Sequence, residues 1–557
     1  MKVSAFLLLL AASISAAAQS SMSMPMSASA IDTPIPGERL GTVSFSVSCA
    51  PAVQPAFNRG VALLHDFWYE EARPQFERIA QADPTCAMAH WGIAMSSFHQ
   101  IWDRPDPSTM KLGWDEMRKA QATPPGTARE REYIAALAAF FQPGPQDFPA
   151  RIAAYSSAMG ALYAHYPQDV DAGAFYALSL LAARPVADTT QVQQRKAMSV
   201  LVPLYRAHPD NPGVVHYVIH SCDNPAMAKE GLAAAEHYGE IAQSGAHAVH
   251  MSGHIFARLG MWPQDITAQS VSIKASEDAE AHHRSGIMDE PHSYDFMMYA
   301  DLQSGQDAAA KHILDTVPSV LDHLSAMPGM GNSYMGGMVY YYRLKFPVFY
   351  SLELSDWHTA AALQTPVNTQ PEDAAMVWWA RSVADGHLHH ATEAQHDLDR
   401  FDALMTETRK GPHAFVADST ATKIWRSEIA AWASFAADRQ DDALRQMRAA
   451  ADLQDKVGQA EVDIPAREML GDMLLELHQP QQALAEYRVA LQLSPNRFNG
   501  LYHAGMAAEA AGDKAAAGDY FTALLKSTGN GEHSSRPELA YAKKYVSSAQ
   551  LAKQEGK

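Results

Sequence analysis

The chain has 557 residues, of which 47% are hydrophobic, and it carries a formal net charge of −19. That length and hydrophobic content are sufficient for several domains or for one extended array with a full core. Phosphate binding requires clustered Lys and Arg, and the sequence shows no such cluster, so a general nucleic-acid-binding protein is excluded.

The first residues, MKVSAFLLLLAASISAAAQ, are typical of a secretory signal. One lysine precedes an apolar run from Val3 to about Ala12, and the alanines at 16–18 suit a signal peptidase. We therefore expect residues 1–18 to be a signal peptide and the protein to be periplasmic or secreted. An N-terminal anchor that is not cleaved is the alternative. No later segment has about 18 consecutive apolar residues, so no membrane-spanning helix is expected.

Residues 19–50 are rich in Ser, Met and Pro, as in SSMSMPMSASAIDTPIPG, and show no helical period. Such a composition predicts a flexible linker. The chain has three cysteines, Cys49, Cys86 and Cys222. In an oxidising compartment Cys49 and Cys86 could pair and leave Cys222 free. Three cysteines do not make a disulfide framework, so stability must come from packing.

From about residue 51 the sequence is rich in Ala, Leu, Glu and Gln and poor in β-branched runs. Apolar residues recur at intervals of three and four, which is the pattern of amphipathic helices. Gly, Asp or Pro interrupts this pattern at intervals of a few helical turns, as helical hairpins require. These features predict an all-α protein.

An internal repeat is clearest near the C-terminus. The stretch AREMLGDMLLELHQPQQALAEYRVALQLSPN, 466–496, places small residues at Gly471, Ala483 and Ala490 and an aromatic residue at Tyr487. The same alternation of small and large residues recurs at Gly505, Ala508, Ala517, Phe521, Gly60, Leu63, Ala72, Phe76, Pro84, Ala431, Ala443, Met447 and Ala450. Small residues permit close approach of the two helices of a hairpin.

This pattern, with a period of about 34 residues, resembles the tetratricopeptide repeat (TPR) family, clearly at both ends of the chain and more loosely between them. The resemblance implies a right-handed α-solenoid of stacked helix-turn-helix hairpins, in which the first helix of each hairpin lines a concave groove. It implies nothing about what the groove binds. The predicted regions are an N-terminal array at 51–210, central repeats with a His-rich groove at 211–320, looser helical hairpins at 321–420 and a C-terminal array at 421–550.

Two stretches within the central repeats, VVHYVIHSCD and AVHMSGHIFA, each contain a His-x-x-x-His. They supply His216 and His220, and then His250 and His254 at the equivalent positions one full repeat later. Residues four apart share a helix face, so the four histidines are expected on neighbouring first helices, facing the groove. The alternative is that these histidines pack at helix seams and form local hydrogen bonds.

Three further residues join this group of candidate ligands. His247 lies on the same stripe as the second pair, Asp223 lies one turn beyond His220, and His292 begins the next first helix. Neutral imidazoles bind Zn, Cu, Fe and Ni, and Asp223 could be a ligand or could orient an imidazole. Because no Glu follows either leading His, the pattern is not that of an HExxH metalloprotease. Cys222 is off the stripe and is expected in the core.

The metal is expected to be Zn or Cu. Thioethers select Cu(I), and two methionine clusters stand out: Met22, Met24 and Met26 in the linker, and Met327, Met330, Met335 and Met338 in MPGMGNSYMGGM. Methionine is also a common filler of helical cores. A third histidine cluster, GHLHH with His387, His389 and His390, is expected in an exposed turn within a hairpin.

Two functions are consistent with this pattern. The first is an exported scaffold whose groove binds a peptide, protein or small ligand, with a His-lined metal site. The second is a zinc- or copper-dependent enzyme that uses the His cluster. An enzyme needs an open coordination position and a nearby acid or base, for which Asp223, Asp289 and Glu290 are the candidates. The segment EDAEAHHRSGIMDEP, 277–291, could form a lid over the site.

Overall fold

The computed structural model describes residues 31–555 except 102–103, 125, 186–187, 287–288, 328–333, 368, 459 and 533. Within these residues the chain forms 26 α-helices and no β-strand, so the predicted all-α class is confirmed. None of the described helices is both long and apolar enough to cross a lipid bilayer. The predicted signal peptide lies outside the described residues, as do Met22, Met24, Met26 and Met330.

The helices are named here in chain order. The first nine are α1 (Gln54–His65), α2 (Tyr69–Ala82), α3 (Ala87–Met95), α4 (Pro107–Ala122), α5 (Ala128–Phe141), α6 (Phe148–His165), α7 (Val170–Ala182), α8 (Val192–Ala207) and α9 (Pro212–Cys222). The next nine are α10 (Ala228–Ile241), α11 (Ala246–Arg258), α12 (Trp262–Ala281), α13 (Glu290–Gln303), α14 (Asp307–Ala326), α15 (Tyr334–Glu353), α16 (Trp357–Ala361), α17 (Pro371–His387) and α18 (Ala391–Thr408). The last eight are α19 (Ala414–Ala417), α20 (Thr420–Ala436), α21 (Gln440–Val457), α22 (Ala466–Glu476), α23 (Pro480–Leu493), α24 (Phe498–Ala510), α25 (Lys514–Ser527) and α26 (Pro537–Glu555).

Consecutive helices pack against each other in pairs, and neighbouring pairs stack into an array. In several hairpins the close approach depends on a glycine in the first helix that faces an aromatic ring in the second. A Cβ atom at Gly60 would lie 2.7 Å from the ring of Phe76, and one at Gly505 would lie 2.5 Å from the ring of Phe521. The hairpin predicted from the small and large residues is therefore confirmed by the packing.

Most of the described hydrophobic side chains belong to two large cores that follow one another along the array. The first core collects buried side chains from Ile31 to Ala279, and the second from Met298 to Ala542. A smaller cluster around Trp262 draws on α11, α12, α13 and the segment before α22. The two cores therefore meet between α12 and α13, next to His292 on α13.

The flexible linker predicted up to residue 50 is wrong for residues 31–50, which pack against the N-terminal helices. Phe45 is fully buried, and its ring contacts those of Trp91 and Tyr133. Ile31 is also buried, at 3% exposure. Burial of such apolar side chains stabilises the ordered segment, although it forms almost no regular secondary structure.

A disulfide fixes the same N-terminal segment. It joins Cys49 to Cys86, whose Cα atoms are 4.8 Å apart, and Cys86 directly precedes α3. Cys222 is free and buried, with its Sγ 3.7 Å from the Sδ of Met198. This thiol lies in the core, as its position off the histidine stripe indicated.

The C-terminal hairpins fold back onto the middle of the array. Trp262 donates its indole N–H to the carbonyl of Asn496 at 2.8 Å, across 234 residues of chain. The segment before α22 lies against α11, where Glu461 is 2.6 Å from Arg258. These contacts place the C-terminal part of the chain against α11 and α12, and Glu461 also lies 3.4 Å from Nδ1 of His254.

Candidate metal centre

Three first helices of neighbouring hairpins, α9, α11 and α13, carry the histidines of the central repeats. Helix α11 contacts both α9 and α13. Helix α9 begins where the side chain of Asn211 accepts a hydrogen bond from the Val214 N–H, and Pro212 suits its first turn. Since about one turn separates His216 from His220, both rings leave this helix on one face.

The first cluster, which we call triad one, consists of His216, His220 and His247. One ring nitrogen from each residue lies within 4.8 Å of the other two. His216 is fully buried, and its Nδ1 donates a hydrogen bond to the carbonyl of His65 at 2.6 Å. Because a carbonyl only accepts, the neutral ring carries its lone pair on Nε2. That atom has no hydrogen-bond partner among the described residues.

The second cluster, triad two, consists of His250, His254 and His292, whose ring nitrogens also lie within 4.8 Å of one another. The Nε2 atoms of His250 and His254 are 2.9 Å apart. Two nitrogens bound to one tetrahedral ion are about 3.3 Å apart, because Zn–N distances are about 2.0–2.1 Å. The separation of these two rings therefore suits coordination of one ion after a small adjustment.

Polar groups hold the outer nitrogens of triad two. The Nδ1 of His250 lies 2.7 Å from Oε1 of Gln269, and the Nδ1 of His292 lies 2.9 Å from the hydroxyl of Tyr342. The Gln269 oxygen accepts the proton of His250 Nδ1, since its amide nitrogen donates elsewhere. Contacts of this kind fix the orientation of ligating rings in metal sites and leave Nε2 available to an ion.

His254 belongs to an ion network with Asp223, Arg258 and Glu461. Its Nδ1 lies 3.1 Å from Asp223 and 3.4 Å from Glu461, and Arg258 pairs with both carboxylates. Burial opposes a charge on the ring, but the two carboxylates outweigh it and raise the pKa of His254 to about 10. The protonated ring can then donate its Nε2–H to His250, and an ion would have to displace this proton.

The other five imidazoles are neutral near pH 7. Burial, reinforced by neighbouring rings, lowers the pKa well below its usual value in four of them: His216, His247, His250 and His292. Burial also lowers the pKa of His220 to about 3. Only neutral imidazole coordinates a metal ion, so these rings are ready donors.

The two triads adjoin each other on α11. The ring centroids of His247 in triad one and His250 in triad two are 6.2 Å apart. Both triads open on one cavity of about 800 Å³, whose walls include His220, His247, His254 and His292. A small molecule in this cavity could therefore reach ions bound at either triad.

The turn between α1 and α2 packs on triad one. Phe67 adopts a left-handed backbone conformation with a φ of 60°, which is rare for a bulky residue. Its ring lies 4.4 Å from that of His216, 5.4 Å from His220 and 5.5 Å from His247. Backbone strain of this kind persists where packing enforces it, and it concentrates at functional sites. Phe67 thus forms a wall of the cavity beside three candidate ligands.

The structure brings together all seven residues singled out from the sequence: His216, His220, His247, His250, His254, Asp223 and His292. The six histidines form two groups and not one. On α11, His247 joins the two histidines of α9, whereas His250 and His254 join His292 of α13. The expected solvent-facing groove is wrong for His216 and His250, which are 0% and 1% exposed. Phe67 packs on His216, whereas Gln269 and Phe296 pack on His250. Asp223 accepts a hydrogen bond from His254 and so orients this ring.

Sequence spacing did not indicate four residues that support the triads, namely His65, Gln269, Tyr342 and Glu461. The sequence does mark the position of Gln269. It follows Gly253 at the same interval at which Phe76 follows Gly60, so both residues occupy the same position in their hairpins. A Cβ atom at Gly253 would lie 1.9 Å from the side chain of Gln269. This repeat position therefore presents an amide to His250 in place of an aromatic ring.

The described residues of the segment predicted as a lid, 277–286 and 289–291, border the cavity and contact the rest of the molecule. Its first part continues α12, and in the loop that follows, Ser285 accepts a hydrogen bond from the indole of Trp68 at 3.0 Å. Asp289 lines the cavity. Burial raises the pKa of both Asp289 and Glu290 to about 7.

Two further clusters were predicted from the sequence, the histidines of GHLHH and the methionines of MPGMGNSYMGGM. His389 and His390 are exposed in the turn after α17, as expected, whereas His387 stacks on Trp357 at 4.0 Å. His387 therefore has a packing role. Of the methionines in MPGMGNSYMGGM, Met338 borders the cavity.

No protein-family model matches the chain, and no curated protein matches it. Solved structures that align with it include Naa15/Naa10 bound to HypK-THB, at 11% identity over 89% of this chain and 92% of that chain. Another is the P58(IPK) TPR domain, at 12% identity over 89% of this chain and 99% of that chain. Both have a TM-score of 0.21, which is too low to carry an argument. The fold is TPR-like on its own packing.

Proposed function

We propose that this protein is an exported helical-array metalloprotein that binds two transition-metal ions, one in each histidine triad. The observation that carries the proposal is the convergence of six imidazoles from three neighbouring helices into two groups of three. Three protein ligands with one open position are also the arrangement of catalytic zinc sites. The cavity beside both triads would give a small ligand access to the ions.

A purely structural role for the histidines is less consistent with the contacts of His216. Histidines at helix seams place their buried nitrogens on hydrogen-bond partners. The Nε2 of His216 is buried and has no such partner among the described residues. Its Nδ1 is held by the carbonyl of His65, which is how proteins orient a ligating imidazole. A metal ion would supply the missing partner.

The donor set supports zinc or copper. Imidazole suits Zn, Cu, Fe and Ni, whereas Mg, Ca and Mn prefer carboxylates, carbonyls and water. Every donor within the two triads is an imidazole. The nearest carboxylates, on Asp223 and Glu461, already pair with Arg258.

A small molecule fits this centre better than a peptide or a protein. The cavity volume of about 800 Å³ is within the range of small-molecule sites. The segment before α22 also lies against α11, where Glu461 pairs with Arg258. We therefore favour a metal-dependent enzyme acting on a small molecule over a scaffold for a protein partner.

Export belongs to the proposal. The Cys49–Cys86 disulfide supports it, since such bonds persist in oxidising compartments. Residues 1–18 also have the lysine, the apolar run and the small residues that are typical of a secretory signal.

The metal content of protein purified without a His tag tests the proposal. We expect two zinc or copper ions per chain by elemental mass spectrometry. Substituting His220→Gln should remove the ion of triad one, and His292→Gln should remove that of triad two, so that each variant keeps one ion. Glutamine approximates the volume of histidine, and circular dichroism would confirm that each variant is folded.

His389 supplies the matched control because it is exposed in the turn after α17. The substitution His389→Gln should leave both ions in place. Wild-type protein that takes up no metal from excess zinc or copper, or equal metal content in all variants, would contradict the proposal.

A further inference from the structure

We propose that the two triads form one dinuclear copper centre, which in its reduced state transfers two electrons to dioxygen. This inference rests on the metal binding proposed above and adds the identity of the metal and of one substrate. Three features carry it: the adjacency of the triads on one helix, the neutral ligand set and the shared cavity.

Helix α11 contributes a ligand to each triad within about a single turn. The rings of His247 and His250 are 6.2 Å apart, and each lies close to the rest of its own triad. His247 is 5.3 Å from His216, and His250 is 4.3 Å from His292, measured between ring centroids. A metal ion lies only about 2 Å from the nitrogen that binds it. Two ions held by these rings can therefore share one small bridging ligand in the common cavity.

The charges around the triads favour ions of low charge. Asp223 and Glu461 both lie beside His254, and Arg258 is the one cation that pairs with these two carboxylates. Two zinc ions would hold four positive charges in this buried site at all times, whereas a copper pair carries four only after oxidation. Two Cu(I) ions bring only two. Ionisation of Asp289, which lines the cavity, would add one more negative charge.

The donor types distinguish this centre from dinuclear iron and manganese sites. Those sites draw largely on Glu side chains, whereas both triads consist of imidazoles alone. Thioethers, which select Cu(I), also border the cavity on Met251 and Met338. Copper is thus the ion that suits the whole set of donors.

Dioxygen is the substrate that such a reduced pair can use. Each Cu(I) donates one electron, so that two Cu(I), one O₂ and two protons give two Cu(II) and one hydrogen peroxide. The two protons accompany the two electrons onto oxygen, so hydrogen peroxide leaves as a neutral molecule. A single copper ion can supply only one of the two electrons, so the reaction requires both triads.

The full-length protein, loaded with two equivalents of Cu(I) without air and then exposed to oxygen, tests this inference. We expect uptake of one O₂ per two copper ions, measured with an oxygen electrode. The oxidised form should give an electron paramagnetic resonance signal far below that of two isolated Cu(II) ions, because bridged ions couple magnetically. In His220→Gln the initial uptake should fall at least about tenfold, since the second electron donor is no longer held nearby. His389→Gln should match the wild type.

Two bound copper ions with full signal intensity and no rapid oxygen uptake would overturn the dinuclear inference while leaving the metal-binding proposal intact. Tight retention of two zinc ions that copper cannot replace would do the same. A one-copper variant that consumes oxygen as fast as the wild type would also overturn it. Failure to bind any metal would remove both proposals.

Discussion

Hydrogen bonds to Nδ1 orient the histidine rings, so that Nε2 is the nitrogen that faces the other rings of each triad. His216 Nδ1 donates to a backbone carbonyl, His250 Nδ1 faces the amide oxygen of Gln269, and His254 Nδ1 faces Asp223. Each contact fixes the tautomer and rotation that direct Nε2 toward the cluster. These supporting groups can be changed without removing a ligand, which separates positioning from coordination.

The substitution Gln269→Leu removes the acceptor of His250 while nearly preserving side-chain size. We expect the metal affinity of triad two to fall about 10- to 100-fold, as is typical when the group that orients a ligand is lost. Triad one should keep its affinity, because Gln269 contacts His250 and Asp265 and not the rings on α9. Competition titrations with a coloured chelator measure both affinities.

The control for this experiment is Gln264→Leu, which changes an exposed residue of the same helix and should leave both affinities unchanged. The melting temperature of the metal-free variants separates a general loss of stability from a local effect, since a buried acceptor is also lost. An equal fall in affinity at both triads would show that Gln269 does not act through His250.

At the scale of the helices, glycine determines how closely the two members of a hairpin approach. Gly505 in α24 faces the ring of Phe521 in α25, where a Cβ atom would lie 2.5 Å from the nearest ring atom. Gly518 in α25 faces open space, and a Cβ atom there would meet no other atom within 4 Å. The same substitution should therefore have opposite effects at the two positions.

The substitution Gly505→Ala should lower the free energy of unfolding by about 1–3 kcal/mol, because the added methyl group overpacks the hairpin. Gly518→Ala should raise it by about 0.5–1 kcal/mol, because alanine is the better helix former. Urea denaturation of both variants measures the difference. A stabilised Gly505→Ala protein would rule out close glycine–aromatic packing as the basis of the hairpins.

The sequence predicted the hairpins and the pairing of the histidines because both depend on local spacing. Gly505 and Phe521 belong to one hairpin, and His216 and His250 are separated by one repeat. The division into two triads was not predictable, since it depends on the rotation of α11 between its neighbours. That rotation sends His247 toward α9, and no sequence interval records it.

Contacts between segments far apart in the chain could not be predicted from the sequence either. Glu461 reaches His254 from the segment before α22, which follows α11 only after ten intervening helices. The packing of residues 31–50 was not predicted because this segment has no helical period, although Phe45 is fully buried. In both cases the tertiary environment, not the local pattern, determines the position of the side chain.

At the scale of the whole molecule, the candidate centre lies where the two hydrophobic cores meet. The first core ends at Ala279 and the second begins at Met298, and His292 lies between these positions. The C-terminal hairpins return to this junction through the pair of Arg258 and Glu461. Ligands and supporting groups therefore come from both parts of the array, so the centre requires the closed arrangement of the chain.

Anomalous diffraction from crystals of the copper-loaded protein tests the account of two adjacent triads most directly. Data collected on both sides of the copper absorption edge locate each ion without assumptions about its ligands. We expect two anomalous peaks per chain, each about 2 Å from one ring nitrogen of each of three histidines. The expected ligands are His216, His220 and His247 for one peak, and His250, His254 and His292 for the other. A single peak, or peaks at other residues, would contradict the account.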